Sequence, residues 1–367
     1  MPATCYNSRM EQTPWKPILV GTIASLILLF SVYFFALPKQ ELGRPSEKIL
    51  EFSGSTIVGH DKGKKVWEFS SKGGWVGKEQ NITNLEEVVK GSFYKDNKLQ
   101  IKNFTAAKVS AFRDSKIIEA KSANALIAIG KERKFVRIKA DSLSYNPDRS
   151  ESILSGNVKV SDKSETLFCQ NLHIDHKEGI STARDNLRAV IYGKQISTLK
   201  ADSLVMDADE KEEVILNGSV EAVQGKKQAV ADSAVYNKNG KDIRLKGKVK
   251  AVISKAGALI KEETAQKLRD NETKEILKEK TLQTSDSLIL STLNGDYRAE
   301  GNVIVEQKNR IAKSDTAEYS DKDEIITLTG NVYIKQKERW VKCRKVLVSV
   351  KDQTFEAFGS VEAEFKL

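Results

Sequence analysis

The chain has 367 residues, with 60 Lys and Arg against 50 Asp and Glu, a formal net charge of +10. The two signs are interleaved and no compact basic run carries aromatic residues, so the excess reads as a solvated surface and argues against nucleic acid as a partner. Six prolines and 22 glycines exclude a collagen-like or low-complexity chain, and Cys5, Cys169 and Cys343 are too few and too far apart for a disulfide scaffold.

The first predicted element is residues 17–38, PILVGTIASLILLFSVYFFALP, with no charge between Lys16 and Lys39. About 22 such residues suffice to cross roughly 30 Å of hydrocarbon as a helix. Trp15 precedes the run, and Tyr33, Phe34 and Phe35 crowd its far end, where amphipathic rings settle at an interface. A cleaved signal peptide is the rival reading. The long apolar core and the poor cleavage sequence Phe34–Phe35–Ala36–Leu37 favour an uncleaved inner-membrane anchor. Arg9 and Lys16 support a cytoplasmic tail over residues 1–16, a bias that Glu11, Lys39 and Arg44 blunt. The bulk of the chain would then be periplasmic, with residues 39–65 as a linker and first strand.

From Val66 to Ile129 the pattern is irregular. Trp67–Glu68–Phe69, Ile101–Lys102–Asn103–Phe104 and Ile117–Ile118 predict short strands, with turns at Gly73–Gly74 and Asp96–Asn97.

Beyond that a motif of apolar–x–Gly–x–Val–x–apolar recurs. It runs as Leu154–Gly156–Val158–Val160, Leu216–Gly218–Val220–Ala222, Leu245–Gly247–Val249–Ala251, Ala299–Gly301–Val303–Val305, Leu328–Gly330–Val332–Ile334 and Ala357–Gly359–Val361–Ala363. The glycines are spaced by about 29 residues or roughly twice that, which predicts a repeated unit with two degraded copies. The period within each copy is two, so each is a half-buried strand. The glycine shares the parity of the apolar residues, which predicts an inward gap. A second element precedes most copies: Ala140–Asp141–Ser142–Leu143, Ala201–Asp202–Ser203–Leu204 and Ala231–Asp232–Ser233–Ala234, with looser forms at Ser285–Asp286–Ser287 and Ser314–Asp315–Thr316. Apolar parity slips by one at the Asp–Ser pair in the first three, as a bulge or strand corner requires. Turns are predicted at Asn146–Pro147–Asp148–Arg149 and Asn237–Lys238–Asn239–Gly240.

Residues 261–280 break the pattern with dense charge and predict a short helix or mobile insertion in place of one missing copy. The other gap, from Ser181 to Gly193, keeps strand residues but lacks the motif.

A single anchor followed by repeated A-D-S-L and L-x-G-x-V units resembles the lipopolysaccharide-export bridge family. That family comprises the anchored LptC-type subunit, the soluble LptA-type subunit and the OstA-like N-terminal domain of an outer-membrane protein. The resemblance implies an all-β, elongated, open β-jelly roll (a β-taco) of repeated antiparallel strands behind one N-terminal transmembrane helix. It divides the chain into an LptC-like region at 66–190 and an LptA/OstA-like region at 191–367. It also implies that lipid A acyl chains lie in a hydrophobic groove. Leu154, Val158, Val160, Leu216, Val220, Leu245, Val249, Val303, Val305, Leu328, Val332 and Ile334 are the candidate lining. The implied partners are lipopolysaccharide, an inner-membrane ABC transporter that supplies it, and a soluble or outer-membrane bridge subunit joined by edge-strand pairing. No cofactor is implied.

Bland and rival readings stay open. The apolar rows could form a dry core in a membrane-anchored structural or adhesive β-solenoid. The aspartates at 141, 202, 232, 286 and 315 recur once per unit, which suits a structural role and not catalysis. Cys169, His173 and His176 are the one cluster of metal-ligand residue types. On a plain strand Cys169 and His173 would share a face and His176 would oppose them, a weak basis for a metal site. No catalytic set can be assembled, so the chain is expected not to be an enzyme.

Overall fold

The computed structural model describes residues 48–365, apart from residue 79 and residues 131–132, 209–212, 255–261 and 268–270. The predicted anchor at 17–38 and Cys5 lie outside the described residues. Among the described residues no helix is long and apolar enough to cross a membrane.

Twenty strands follow one another among the described residues. The first nine are β1 (Lys48–Asp61), β2 (Lys64–Gly77), β3 (Ile82–Lys95), β4 (Lys98–Phe112), β5 (Ile118–Ile129), β6 (Lys134–Asn146), β7 (Glu151–Ser161), β8 (Glu165–Asp175) and β9 (Ile180–Ile191). Next come β10 (Ser197–Asp207), β11 (Glu213–Gln224), β12 (Lys227–Asn237), β13 (Asp242–Ile253), β14 (Thr281–Ser291) and β15 (Tyr297–Gln307). The last are β16 (Arg310–Ser320), β17 (Ile325–Gln336), β18 (Arg339–Ser349), β19 (Thr354–Phe358) and β20 (Glu362–Glu364). Each pairs antiparallel with the next as far as β18, whose two halves then receive β19 and β20. The result is one open, up-and-down antiparallel sheet. It runs without a break across residues 190–191, where β9 pairs β10 from Ile191↔Ser197 onwards.

The sheet folds along a line through the middle of its strands. At Ala140–Asp141–Ser142–Leu143 the burial order is buried, exposed, exposed, buried, so the parity slip predicted at the Asp–Ser pair is present. The extra residue lies on the facing strand. Between Lys139↔Lys159 and Ser142↔Ser155, β7 spends one residue more than β6. Gly156 and Asn157 form that bulge, both left-handed, with φ of 74° and 45°. Two consecutive residues in that region re-aim the strand, which is how a bulge turns a flat ribbon into a corner.

The glycine's missing side chain has a different use from the inward gap expected. A Cβ on Gly156 would lie 2.6 Å from Asp141 Oδ2, and one on Gly218 2.2 Å from Asp202 Oδ2. The room is filled by the Asp of the A-D-S element on the exposed outer side of the corner, not left free on the apolar side. The amide of Asn157 completes the pair, donating to Asp141 Oδ2 at 2.7 Å, and Asn302 and Asn331 do the same for Asp286 and Asp315. The last copy departs from this pattern, with Arg344 facing Gly359.

Two further expectations need correction, and one stands with an addition. Gly73–Gly74 lies inside β2 and is not a turn; a Cβ on Gly74 would stand 2.4 Å from Asn84 O and against the Phe52 ring, so these glycines permit close strand approach. The gap at 181–193 is a degraded copy, but the corner survives. Asp185 and Asn186 replace Gly and Asn with φ of 64° and 53°, and the polar pair is inverted, Asn171 donating to Asp185 at 2.8 Å. The charged segment does not replace a copy. β13 and β14 pair directly, so it is an insertion between consecutive units, carrying two short helices at Glu262–Lys267 and Asn271–Lys278.

Candidate functional site

Folding the sheet at its midline puts one face inside. On the first half of the unit, directly facing residues form an apolar rail from β6 to β19. Leu143 faces Leu154, which faces Leu172; Leu204 faces Leu216, Leu245 faces Leu288, and Leu328 faces Val346, which faces Ala357. Alanines at 183, 234, 299 and 317 fill the positions between, so no polar residue interrupts the rail. A second rail lies beyond the corner, through Val160, Leu167, Ala189, Leu199, Ala222, Ala229 and Ala251 to Val305, Ala312 and Ile334, broken by Gln283.

All twelve candidate lining residues lie on this interior. Leu154, Val158, Leu216, Val220, Leu245, Val249, Val303, Leu328 and Val332 are buried, whereas Val160, Val305 and Ile334, nearer the strand ends, are partly buried against the same core. The valines that follow each glycine sit opposite small residues, Val158 against Cys169, Val220 against Ala231 and Val249 against Ser285. Large against small keeps the corner narrow.

The N-terminal end is filled differently. Phe93 packs edge-on against Phe69, Phe104 and Tyr145 with centroids 5.0–5.2 Å apart. Phe69, Phe93 and Phe104 belong to the irregular part of the chain, where no motif marked them as interior, whereas Tyr145 closes the first A-D-S element on β6. The signal of the three phenylalanines was their aromatic bulk, one each on β2, β3 and β4.

The two edges of the folded sheet meet along a seam. One edge carries the turns that follow odd-numbered strands, the other those that follow even-numbered strands. Lys116 Nζ reaches Asp61 Oδ2 at 3.0 Å, and Lys95 bonds Ser150. His176 Nδ1 donates to Ala128 O at 3.2 Å, and its Nε2 lies 2.8 Å from the Ser152 hydroxyl. Burial holds this imidazole neutral, with its pKa lowered to about 4. Farther along, Lys238 pairs with Glu165, both mostly buried; burial pushes the Glu165 carboxyl upward against the opposing pull of Lys238. Gln224 Nε2 then reaches Ser291 O at 3.1 Å, Lys227 Nζ reaches Gly295 O at 3.0 Å, and Lys194 Nζ reaches Asp321 Oδ2 at 2.9 Å. In the insertion, Thr264 bonds Glu324, and both are buried.

Beneath Glu165 and Lys238 lies a cavity of about 90 Å³. Val160, Leu167, Ile191, Leu199, Met206 and Leu216 are among its walls, and Asp162 also lines it. Asp162 itself caps its own turn, accepting from the backbone N–H groups of Ser164 and Glu165 at 2.7 and 2.9 Å.

The metal-ligand types do not come together. The corner at Gln170 separates Cys169, which is buried, from His173, which is exposed and lies 3.3 Å from Glu151; the shared face expected for them assumed an unbroken strand. Among the described residues no group of three or more His, Cys, Asp or Glu could hold a metal ion.

A family model described as the LptA/(LptD N-terminal domain) LPS transport protein matches residues 137–269 and 312–366, just over half of the chain. Chains of solved structures also match. Among them is LptH of Pseudomonas aeruginosa, described as the LptA-homologous periplasmic component of the lipopolysaccharide transport device. It is 14% identical, with 38% of this chain and 95% of that chain covered and a TM-score of 0.29. No curated protein sequence matches.

Proposed function

The chain belongs to the family of LptA and LptD N-terminal-domain lipopolysaccharide transport proteins, and from that premise we propose that it carries lipid A acyl chains along its folded-sheet interior. The observation that carries this reading is the uninterrupted apolar rail from Leu143 to Ala357. Each acyl methylene left in water costs about 0.8 kcal/mol, so a lipid with several chains needs a continuous dry surface to cross an aqueous space. Val, Leu, Ile and Ala offer no directional bonds, and a chain can therefore slide from one unit to the next. In this reading residues 17–38 anchor the protein in the inner membrane, the rest lies in the periplasm, and an ABC transporter supplies the lipid without chemistry by this chain.

The open ends of the sheet would join neighbouring subunits. Strand β1 exposes Ile49 and Leu50, and β19–β20 and their connection expose Phe355, Phe358 and Val361. Exposed apolar edges are normally a hazard, and pairing with another strand turns them into a joint.

Photo-crosslinkers at Val158, Val220, Val249 and Val332 are expected to capture lipopolysaccharide in cells, and those at Lys159 and Glu221 are not. Equal capture on both faces, or none on the inner face of folded protein, overturns the proposal. The tight interior favours a second reading, a structural β-spine with a dry core, for which the inner-face variants capture nothing.

A further inference from the structure

The outer face of the sheet changes character along its length. Its rows of directly facing residues can be followed from strand to strand, because one face of a strand recurs at every second residue. From β2 to β7 one outer row reads Trp75, Asn84, Ser110, Glu119, Ser144 and Ile153. The neighbouring outer row, nearer the corner, carries Glu86, Lys108, Lys121 and Ser142. Farther along, the first row turns to Val205, Ile215 and Val235, and its density of hydroxyl, amide and carboxylate groups is lost.

The two polar rows line a hollow of about 530 Å³. That lies within the roughly 300–1,000 Å³ that small-ligand sites occupy. Past Trp75 a second hollow, of about 450 Å³, continues by way of Glu86 to Glu51 and Ser53. Trp75 is half-buried and stands between the two, supplying an aromatic wall to both.

This lining argues against two classes of ligand. An acyl chain would cover hydroxyl, amide and charged groups without returning a single hydrogen bond. An anion would gain no net attraction, since Glu86 and Glu119 balance Lys108 and Lys121. A sugar ring suits both parts of the site. Its C–H face packs on an indole, which joins a large apolar surface to one polar N–H. Its hydroxyls both donate and accept. Asn84 Oδ1 accepts from Ser110 Oγ at 2.7 Å, which orients the amide and leaves its N–H groups to donate to a ligand. Glu119 is exposed and accepts, while the exposed Lys121 donates. Neighbouring strands are about 4.8 Å apart, so a chain of rings lying across them meets a fresh polar group at each step.

We propose that this outer hollow binds an uncharged oligosaccharide, laid across β2 to β6. One ring stacks on Trp75, and hydroxyls are held by Asn84, Ser110, Glu119 and Ser144. The site is on the opposite face of the sheet from the apolar rails, so the proposal stands independently of the lipid-carrier reading.

The test is calorimetric titration of the full-length chain, held in a detergent without a sugar head, with a tetramer of N-acetylglucosamine. The comparator is the phosphorylated sugar of deacylated lipopolysaccharide. The tetramer is expected to bind more tightly than the comparator, with a Kd that changes less than about two-fold between about 50 and 300 mM salt. Trp75→Ala should weaken binding at least about ten-fold, and Trp75→Phe should weaken it less. Glu119→Gln should weaken it several-fold, and Arg244→Gln, on the same face but outside the hollow, should leave it unchanged. Circular dichroism checks each variant. Should Trp75→Ala misfold, the exposed Glu119→Gln decides. Absence of tetramer binding by the wild-type chain, undiminished binding by the folded Trp75 or Glu119 variants, or preference for the phosphorylated sugar overturns the proposal.

Discussion

The carboxylate of Asp202 occupies the space that a side chain on Gly218 would need, with Oδ2 2.2 Å from where its Cβ would stand. Gly218 also has a φ of 77°, which a side chain rarely adopts. Gly218→Ala therefore meets both strain and collision, and is expected to lower stability by about 2 kcal/mol. Adding Asp202→Ala removes the collision but not the strain. The double variant should lose less than the two single losses added together, and a double-mutant cycle from urea denaturation reads the difference.

The two faces of the sheet should respond differently to a change of charge. Val220 is fully buried on the interior, so Val220→Asp places an unpaired carboxylate there and should cost roughly 3–5 kcal/mol. Lys159 lies on the exposed face of β7, and Lys159→Gln should stay within about 0.5 kcal/mol. Thermal or chemical denaturation of the two variants checks the contrast.

Acid should loosen the seam where His176 closes it. Its imidazole titrates near 4 in the native protein, against 6.5 for the unshifted group. Between those values the unfolded chain holds more protons, so stability is fully present above about pH 6.5 and falls as the pH drops towards 4. The loss is about 3 kcal/mol at most. His176→Gln, which cannot take up a proton, should flatten the pH dependence of the unfolding free energy across that window.

Cys169 should be inert until the protein unfolds. It is buried, and burial pushes its thiol up to about 11, so almost none is thiolate at pH 8. Iodoacetamide labelling of Cys169, followed by mass spectrometry, is expected to be at least about a hundred times slower in buffer than in urea.

The repeat could be read from the chain because strand parity and its slip at Asp–Ser are local. Ala140 and Leu143 fall on one face only if the strand turns between them, and two positions in one segment are enough to say so. The role of Gly156 was not local. Its lack of a side chain serves Asp141, 15 residues earlier on a facing strand, and the shared parity with Leu154 pointed to the wrong side. Asp185–Asn186 escaped a search for glycine because Asp and Asn also tolerate left-handed backbone. The seam left no trace in the periodicity, since Lys238 and Glu165 lie 73 residues apart and neither belongs to the motif. The twelve lining residues were legible as inward positions, while the narrowness of the space they enclose was not. That depends on the small residues (Cys, Ala and Ser) that face the valines across the strand pairs.

The uninterrupted meander also bears on how the protein comes to be folded. Every strand up to β18 finds its partner in the segment just before it, so a chain growing from its N-terminus could add strands one at a time to an existing template. Such local contacts spare the search that slows most all-β proteins. The seam contacts are the exception, joining residues from 48 positions apart at Ala128–His176 to 127 at Lys194–Asp321. The sheet can therefore grow as a ribbon before it closes, and the seam contacts would be the last made in folding.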